Sequence, residues 1–156
     1  MTAAGCRQAL PPVVKRIVVR LAPDGAFDLF TREMSRWWPL RSHSCAADDA
    51  VSVQIEPRVG GLIIEYARDG STAPWGTVLA WEPPRRFAMT WHPMSDPAQA
   101  TRVEVSFTSD AAGGCHVELV HSGWETRGVD ADAWGTRYKG GWEGVLDCYL
   151  RATVNK

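Results

Sequence analysis

The chain has 156 residues, a formal net charge of −1, 45% apolar residues and 22% charged residues. This balance excludes a basic footprint for nucleic acid and a polybasic membrane patch, and the length fits one domain with a sizeable hydrophobic core. The chain has eight tryptophans, an unusual number for its length. Because each indole is large and carries an N–H that needs a partner, they predict a big core, an aromatic-walled pocket or an interface.

The N-terminal residues and the cysteines predict the cellular compartment of the protein. The first sixteen residues contain no apolar run long enough for a signal peptide or a membrane span. The four cysteines are widely scattered and show no metal-ligand spacing, namely Cys6, Cys45, Cys115 and Cys148. We therefore expect reduced thiols in a cytoplasmic protein, with no membrane insertion. Residues 1–12 are predicted to be a disordered leader before one domain over 13–156.

The first elements are a strand and a helix. In VVKRIVVRLA, Val13 to Ala22, apolar and charged residues partly alternate, which is typical of a strand with one solvated face. Asp24 is a plausible N-cap for a helix that is expected to reach Trp37 and Trp38 before Pro39 stops it. Adjacent helical side chains point about a hundred degrees apart, so one indole is expected in the core and the other near a cavity entrance.

Six short β segments follow, separated by turn signals. They begin near Val51, Leu62, Trp75, Arg86, Arg102 and Cys115. Short connections between successive strands predict an antiparallel meander. Alternation places Val103, Val105 and Phe107 on a covered face, and His92 and His116 on the outer face.

The last segment is predicted to be a long amphipathic helix. Asp130 or Asp132 can cap it, and its apolar stripe steps by three and four residues: Trp134, Tyr138, Trp142, Val145, Tyr149 and Ala152. Gly140 and Gly141 inside it predict either a close approach of another element or a kink. Together these elements predict an α+β fold in which a curved antiparallel sheet of about seven strands wraps around the C-terminal helix, with space between them for a cavity.

The order of elements and several motifs resemble the START-like superfamily, also called SRPBCC, which has the helix-grip fold. Within it the chain is similar to the branch named after the activator of the heat-shock ATPase chaperone. The resemblance rests on Trp37-Trp38, GTVLAWEPPRRFAMTW (Gly76–Trp91), TRVEVSF (Thr101–Phe107), HVELVHSGW (His116–Trp124) and GWEGVLDCYL (Gly141–Leu150).

The resemblance implies a fold and, more loosely, a function. Members of the superfamily bind lipids, sterols, polyketides or other apolar molecules between sheet and helix, and some relatives are cyclases or hydrolases. Chaperone activation does not carry over, because the activator's additional chaperone-binding domain has no counterpart in these 156 residues. No catalytic motif of the family is matched, so no catalytic residues carry over.

The predicted ligand-binding residues come from the two faces that would enclose the cavity. They are Trp37, Trp38, Phe87, Met89, Trp91, Leu119, His121, Trp134, Tyr138 and Trp142. Core packing is the competing interpretation for most of them, because their spacing is also that of a buried stripe. The indole N–H groups and the Tyr138 hydroxyl would orient an amphipathic guest.

Catalysis has three weaker candidates, His121, Glu65 and Tyr138. Alternation turns His121 inward, where it is either a satisfied structural histidine or a base that moves a proton. Glu65 interrupts an apolar run, and its face is left open by the pattern. A metal site built from His43, Cys45 and His121 is a minor alternative, and His43 is otherwise expected to be solvated.

Three functions follow from these residues. The first is a protein that binds a small apolar or aromatic molecule, and the second is a polyketide cyclase-like or hydrolase-like enzyme using the same cavity. The third is a co-chaperone, an interaction module or a homodimer, for which Trp38, Trp75 and Trp124 would have to be exposed. The sequence contains no phosphate loop or nucleophile elbow, so no cofactor and no metal are predicted.

Overall fold

A computed structural model describes residues 11–154, so most of the predicted leader lies outside the described residues. Seven strands form one antiparallel sheet in the order β1-β7-β6-β5-β4-β3-β2. Their bounds are β1 Val13–Val19, β2 Ala50–Ile55, β3 Leu62–Ala67, β4 Thr72–Glu82, β5 Arg86–Trp91, β6 Thr101–Ser109 and β7 Cys115–Ser122. A short helix, α1 (Pro23–Phe30), lies between β1 and β2, and the long helix α2 (Ala131–Val154) follows β7. The predicted α+β architecture is confirmed.

The covered face of the sheet follows the alternation in the sequence. In β6 and β7 the register pairs Val103 with His121 and Val105 with Leu119, and all four side chains are buried. His116 on the other face of β7 is exposed, as predicted. Since side chains alternate between faces with a period of two, one register fixes the whole inner surface.

The first helix ends earlier than the sequence predicts. α1 stops at Phe30, and a separate 3₁₀ turn at Met34–Arg36 leads to the tryptophan pair. The Trp37 indole Nε1 donates a 2.8 Å hydrogen bond to the carbonyl of Leu29, which satisfies one of the orphan acceptors at the end of the helix. The cap is also different, because Ala22 precedes Pro23 at the start of α1 and Asp24 lies within its first turn.

Both tryptophans of the pair are buried, which a continuous helix would not have allowed. Trp37 packs edge-on against Phe30 and Tyr149, with ring centroids 5.0 and 5.1 Å away. The ring of Trp38 lies next to that of Trp37, with centroids 5.6 Å apart, but Trp38 also packs against Trp91 and Trp142 and donates its Nε1 hydrogen to the carbonyl of His43 at 2.8 Å. The 3₁₀ turn therefore sends the two indoles into different neighbourhoods.

The inner face of α2 packs against the sheet through Trp142, Val145, Leu146 and Tyr149. A Cβ added to Gly140 or Gly141 would meet nothing within 4 Å, so the predicted close approach of another element is wrong. No helix in residues 11–154 is long and apolar enough to cross a membrane.

One end of the interior is filled with interlocked rings. We call this group the sealed end; it consists of Phe27, Phe30, Trp37, Phe87, Phe107 and Tyr149. Its polar tips are satisfied, since the Tyr149 hydroxyl donates to the carbonyl of Ala26 at 2.8 Å. Burial raises the pKa of that hydroxyl far above its ordinary value.

Candidate functional site

A cavity of about 370 Å³ lies at the opposite end of the interior, between the start of α2 and the sheet. Its volume falls in the range of small-molecule sites. Aromatic rings form most of its wall, and we call them the open end: Trp38, Trp91, Trp134, Tyr138 and Trp142. The rest of the lining comes from Ser42–Ser44, Pro93, Met94, Arg137, Gly141 and Val145.

Three elements bring these rings together. Trp91 is the last residue of β5, Trp38 follows the 3₁₀ turn, and Trp142 lies on α2; their ring centroids are 5.6 to 5.8 Å apart. Trp134 and Tyr138 lie one helical turn apart on α2 and stack with centroids 6.0 Å apart. One face of α2, the end of β5 and the segment after the 3₁₀ turn therefore supply the aromatic walls.

Half of the predicted ligand-binding residues line this cavity, and half do not. Trp38, Trp91, Trp134, Tyr138 and Trp142 line it. Trp37 and Phe87 belong to the sealed end, while Met89 and Leu119 are fully buried between the two ends of the sheet's inner face. His121 lies behind the wall formed by Trp142 and is also fully buried.

His121 is bonded at both ring nitrogens. Its Nδ1 accepts a 2.9 Å hydrogen bond from the Trp142 indole, which can only donate, so the proton of the neutral ring is assigned to Nε2. Nε2 then donates to Thr101 Oγ1 at 2.6 Å, and that hydroxyl donates to the Trp91 carbonyl at 3.1 Å. Burial lowers the pKa of His121 to about 3, with the positive charge of Arg127 as a smaller cause. The interpretation as a satisfied structural histidine fits this geometry.

Glu65 points inward and holds the loop that borders the cavity. Its Oε1 accepts from the backbone N–H of Cys45 at 2.7 Å and from Trp75 Nε1 at 2.9 Å, and its Oε2 accepts from the N–H of Ala46 at 2.8 Å. The residue is 1% exposed. Because three donors occupy the carboxylate, its evident task is to position residues 42–46.

Tyr138 is the candidate residue that does reach the cavity. Burial raises the pKa of its hydroxyl, whereas the Trp91 indole N–H and the charges of Arg127 and Arg137 act in the opposite direction. The Trp91 Nε1 atom is buried and has no partner in hydrogen-bond geometry. The open end thus contains a donor without an acceptor, beside a hydroxyl in a cationic setting.

One histidine, His92, does not lie where the sequence places it, and His43 borders the cavity, which the sequence did not indicate. His92 is buried, at 6% exposure, because β5 ends at Trp91 and the alternation rule stops applying there. His43 is exposed as expected, but it borders the cavity, and its Nδ1 lies 2.7 Å from Ser42 Oγ. Partial burial lowers the pKa of His43 below its ordinary value, so the ring is neutral at pH 7.

The metal and interaction alternatives lose their structural basis. In the part of the chain that the structure describes, no three His, Cys, Asp or Glu side chains are grouped to hold a metal ion, so the minor alternative of a His43–Cys45–His121 site is wrong. Cys45, Cys115 and Cys148 are free thiols. The interaction module would need Trp38, Trp75 and Trp124 to be exposed, and all three are buried. A homodimer stays a prediction without that support.

A second cavity of about 440 Å³ lies on the outer side of α2, between Lys139 and the start of β1. Its lining includes Pro11, the first described residue, together with Pro12, Val13 and Val14. It contains one indole, Trp124, and lacks the facing aromatic walls of the open end.

Sequence reasoning missed several residues of the open end. Arg137 and Gly141 fall on the same helix face as Trp134 and Tyr138, so the helical spacing could have found them. Met94 gave no signal in the sequence; it is 79% exposed and has a left-handed backbone with φ of +63°. Arg127 gave none either, although it is 6% exposed and lies against Trp134.

The comparisons with known proteins agree with this geometry. The family model described as "Activator of Hsp90 ATPase homolog 1-like protein" matches residues 20–155. An anthrahydroquino-γ-pyrone synthase, Txn09, solved in complex with a compound abbreviated SUM, is 32% identical over 92% of this chain and 97% of that chain, with a TM-score of 0.61. No curated protein matches the chain at a significant level.

Two more distant structures share the fold. Protein MLL2253 from Mesorhizobium loti is 20% identical over 92% of this chain and 96% of that chain, with a TM-score of 0.65. DynU16, a putative protein in the dynemicin biosynthetic locus, is 16% identical over 90% of this chain and 46% of that chain, with a TM-score of 0.64.

The curved sheet, the long helix and the aromatic cavity between them define a START-like protein with the helix-grip fold, a class built to hold small molecules. Within that class, the chain belongs to the family of activator of Hsp90 ATPase homolog 1-like proteins.

Proposed function

We propose that the protein binds a planar aromatic molecule of the polyketide type in the cavity of the open end. The observation that carries the proposal is the wall itself, in which five aromatic rings from α2, β5 and the loop after α1 surround about 370 Å³ of space. Flat rings stack favourably on indoles, whereas a flexible acyl chain or a bulky sterol gains less from them. The 32% identical relative is an anthrahydroquino-γ-pyrone synthase, which supports the same ligand class.

The rim of the cavity supports the proposal as well. Met94 leaves most of its side chain in solvent beside the opening, on a backbone that a non-glycine residue rarely adopts. Such strain persists where surrounding structure imposes it, and a polarizable thioether packs well against aromatic guests. The lining also contains Ser42, Ser44 and Tyr138, whose hydroxyls can orient polar substituents of the guest.

The test is quenching of intrinsic tryptophan fluorescence by a panel of hydroxyanthraquinones, fatty acids and sterols. We expect saturable quenching with the hydroxyanthraquinones and weaker responses with the other two classes. Failure of every planar aromatic compound to bind would overturn the proposal.

Two glycines of α2 offer a matched pair of variants. Gly141 lines the cavity and Gly140 does not, and a Cβ at either position has open space. Gly141→Leu should fill the cavity and weaken binding by about tenfold or more, equivalent to about 1.4 kcal/mol. Gly140→Leu should leave binding unchanged, and both changes should favour the helix to a similar extent. Equal binding by the two variants would place the ligand elsewhere.

A second function, ring closure of such a guest, is favoured because the same relative is a pyrone synthase. The base would be His43, which is neutral and borders the cavity, rather than the enclosed His121. An ortho-hydroxyaryl β-diketone is a suitable probe: its phenol oxygen attacks the distant ketone, and loss of one water gives a chromone. Faster chromone formation that is lost in His43→Asn, with binding retained, would support catalysis. A rate unaffected by the protein would leave binding as the function.

A further inference from the structure

Two arginines converge on one indole at the open end. The guanidinium carbon of Arg127 lies 4.4 Å from the centroid of the Trp134 ring, and that of Arg137 lies 5.2 Å from it. Arg137 lines the cavity, and Trp134 forms part of its wall. Two like charges on one ring repel each other, so their placement is favourable when negative charge is near.

Arg127 is buried and makes no ion pair with a carboxylate among the described side chains, a set that leaves out residues 129 and 132. Its Nη2 donates to Ser95 Oγ at 3.0 Å, and its Nε atom has no acceptor. Buried arginines are ordinarily paired with a carboxylate or phosphate, because an uncompensated charge is costly to remove from water. A negative charge on a guest of the cavity would offset part of this cost.

The cavity itself holds one cationic residue and no Asp or Glu in its lining. Two neutral donors accompany Arg137 there: the Trp91 Nε1–H, which has no acceptor in hydrogen-bond geometry, and the hydroxyl of Tyr138, which lines the cavity next to that indole. Indole N–H groups donate and cannot accept, so a guest atom that meets Trp91 must be an acceptor.

The described titratable and charged side chains near the Tyr138 hydroxyl come from several elements. They are Arg137 on α2, Arg127 in the segment before α2, Cys45 in the loop and His121 on β7. His121 and Cys45 are uncharged, because burial lowers the pKa of the imidazole to about 3 and raises the pKa of the thiol. Among the described side chains, two positive charges and no negative one thus act on this hydroxyl.

We propose that the guest of this cavity carries an anionic oxygen, a phenolate, enolate or carboxylate, that is received by the Trp91 indole N–H, the Tyr138 hydroxyl and the Arg137 guanidinium, with Arg127 providing a second positive charge behind Trp134. This inference rests on the proposed function, because it assigns the chemical class of the same guest. An aromatic body stacks on the indoles while its acidic oxygen faces the cations.

The test compares two isosteric probes, naphthoate, which is anionic at pH 7, and naphthamide, which is neutral. We expect the protein to bind naphthoate about tenfold more tightly by titration calorimetry, which corresponds to about 1.4 kcal/mol. Equal affinity for the two would overturn the inference and leave the proposed function standing. Binding of neither, nor of any other planar aromatic, would overturn the proposed function itself.

Matched charge variants separate a specific site from the general field of the protein. Arg137→Gln should abolish the preference for naphthoate, and Arg137→Lys should retain much of it. Lys139→Gln removes the same charge from an exposed position on the same helix, outside this cavity, and should leave the preference intact. If Lys139→Gln reduces the preference as much as Arg137→Gln, the site is overturned.

A coloured probe distinguishes a phenolate from a carboxylate as the source of the charge. Alizarin, a dihydroxyanthraquinone, changes colour when its phenol ionises. We expect the bound dye to show the phenolate spectrum at a pH where the free dye is neutral, and Arg137→Gln to reverse this. A bound dye with a neutral spectrum, together with no preference for naphthoate, would contradict the inference.

Discussion

The sealed end and the open end are both built from aromatic side chains, but they differ in whether the polar atoms of those side chains have hydrogen-bond partners. At the sealed end, Trp37 Nε1 donates to the carbonyl of Leu29, and the Tyr149 hydroxyl donates to that of Ala26. At the open end, Trp38 and Trp142 also donate from Nε1, but the buried Nε1 of Trp91 has no acceptor in hydrogen-bond geometry. Since buried donors are ordinarily paired, Trp91 distinguishes the open end as the place where a guest can supply the missing acceptor.

The largest expected effect comes from removing a ring of the sealed end. Phe30→Ala should lower the free energy of unfolding by about 3–5 kcal/mol, because it leaves a cavity among four neighbouring rings. Urea unfolding measures the loss. Ligand affinity of the folded variant should be unchanged, and a matching loss of affinity would show that the two ends are coupled.

Removal of the loop anchor should act on both stability and the site. Glu65→Ala leaves three N–H donors without their acceptor and should cost about 2–4 kcal/mol, measured by thermal and urea unfolding. It should also weaken ligand binding, because Ser42–Ser44 form part of the cavity wall. Glu65→Gln keeps one acceptor oxygen and should fall between the two proteins; full affinity in Glu65→Ala would contradict the role of the anchor.

The imidazole behind the open end should make stability depend on pH. The pKa of His121 is about 3 in the folded protein against an ordinary 6.5, so the unfolded chain binds a proton between these values that the folded protein excludes. The free energy of unfolding should therefore fall by about 1.4 kcal/mol for each unit that the pH drops within this window.

His121→Asn should flatten that dependence in denaturant titrations. Should the variant fail to fold, the imidazole resonance of the unaltered protein provides a second measurement. Its shift should stay constant down to about pH 4, and an inflection near pH 6 would contradict the buried, doubly bonded state.

The smallest effect compares one hydroxyl at each end. Tyr149→Phe removes a buried 2.8 Å hydrogen bond and should cost about 1 kcal/mol of stability without altering affinity. Tyr138→Phe should change stability by less than about 0.5 kcal/mol and instead weaken the binding of the aromatic probes. If Tyr138→Phe instead lowered the stability and Tyr149→Phe weakened binding, the distinction between the sealed end and the open end would be wrong.

The sequence predicted the sheet well because alternation determines which face a strand residue occupies. It did not predict depth along the strand. Phe87, Met89 and Trp91 share one face of β5, yet they lie at the sealed end, between the ends and at the cavity. Whether a residue lies at the sealed end or at the cavity depends on how the sheet curves and on which elements cover it. The alternation of side chains along a strand carries no information about either.

Helical spacing likewise predicted which residues share a face of α2, but it did not predict where the first helix ends or which residues from elsewhere pack against α2. It correctly grouped Trp134, Tyr138 and Trp142 on one face of α2, and the same spacing includes Arg137. The sequence pattern did not predict that α1 ends at Phe30. This end is stabilised by a hydrogen bond from the Trp37 indole to the carbonyl of Leu29, and helical periodicity does not reveal that contact. Arg127 became relevant only through tertiary contact with Trp134.

The indoles of Trp38, Trp75, Trp91 and Trp142 follow one another at centroid separations below 6 Å. At such spacing, light absorbed by one indole passes to its neighbours before it is emitted. One non-fluorescent ligand bound beside Trp91 should therefore quench the emission of all four indoles. The protein thus reports the binding of such a ligand through its intrinsic fluorescence.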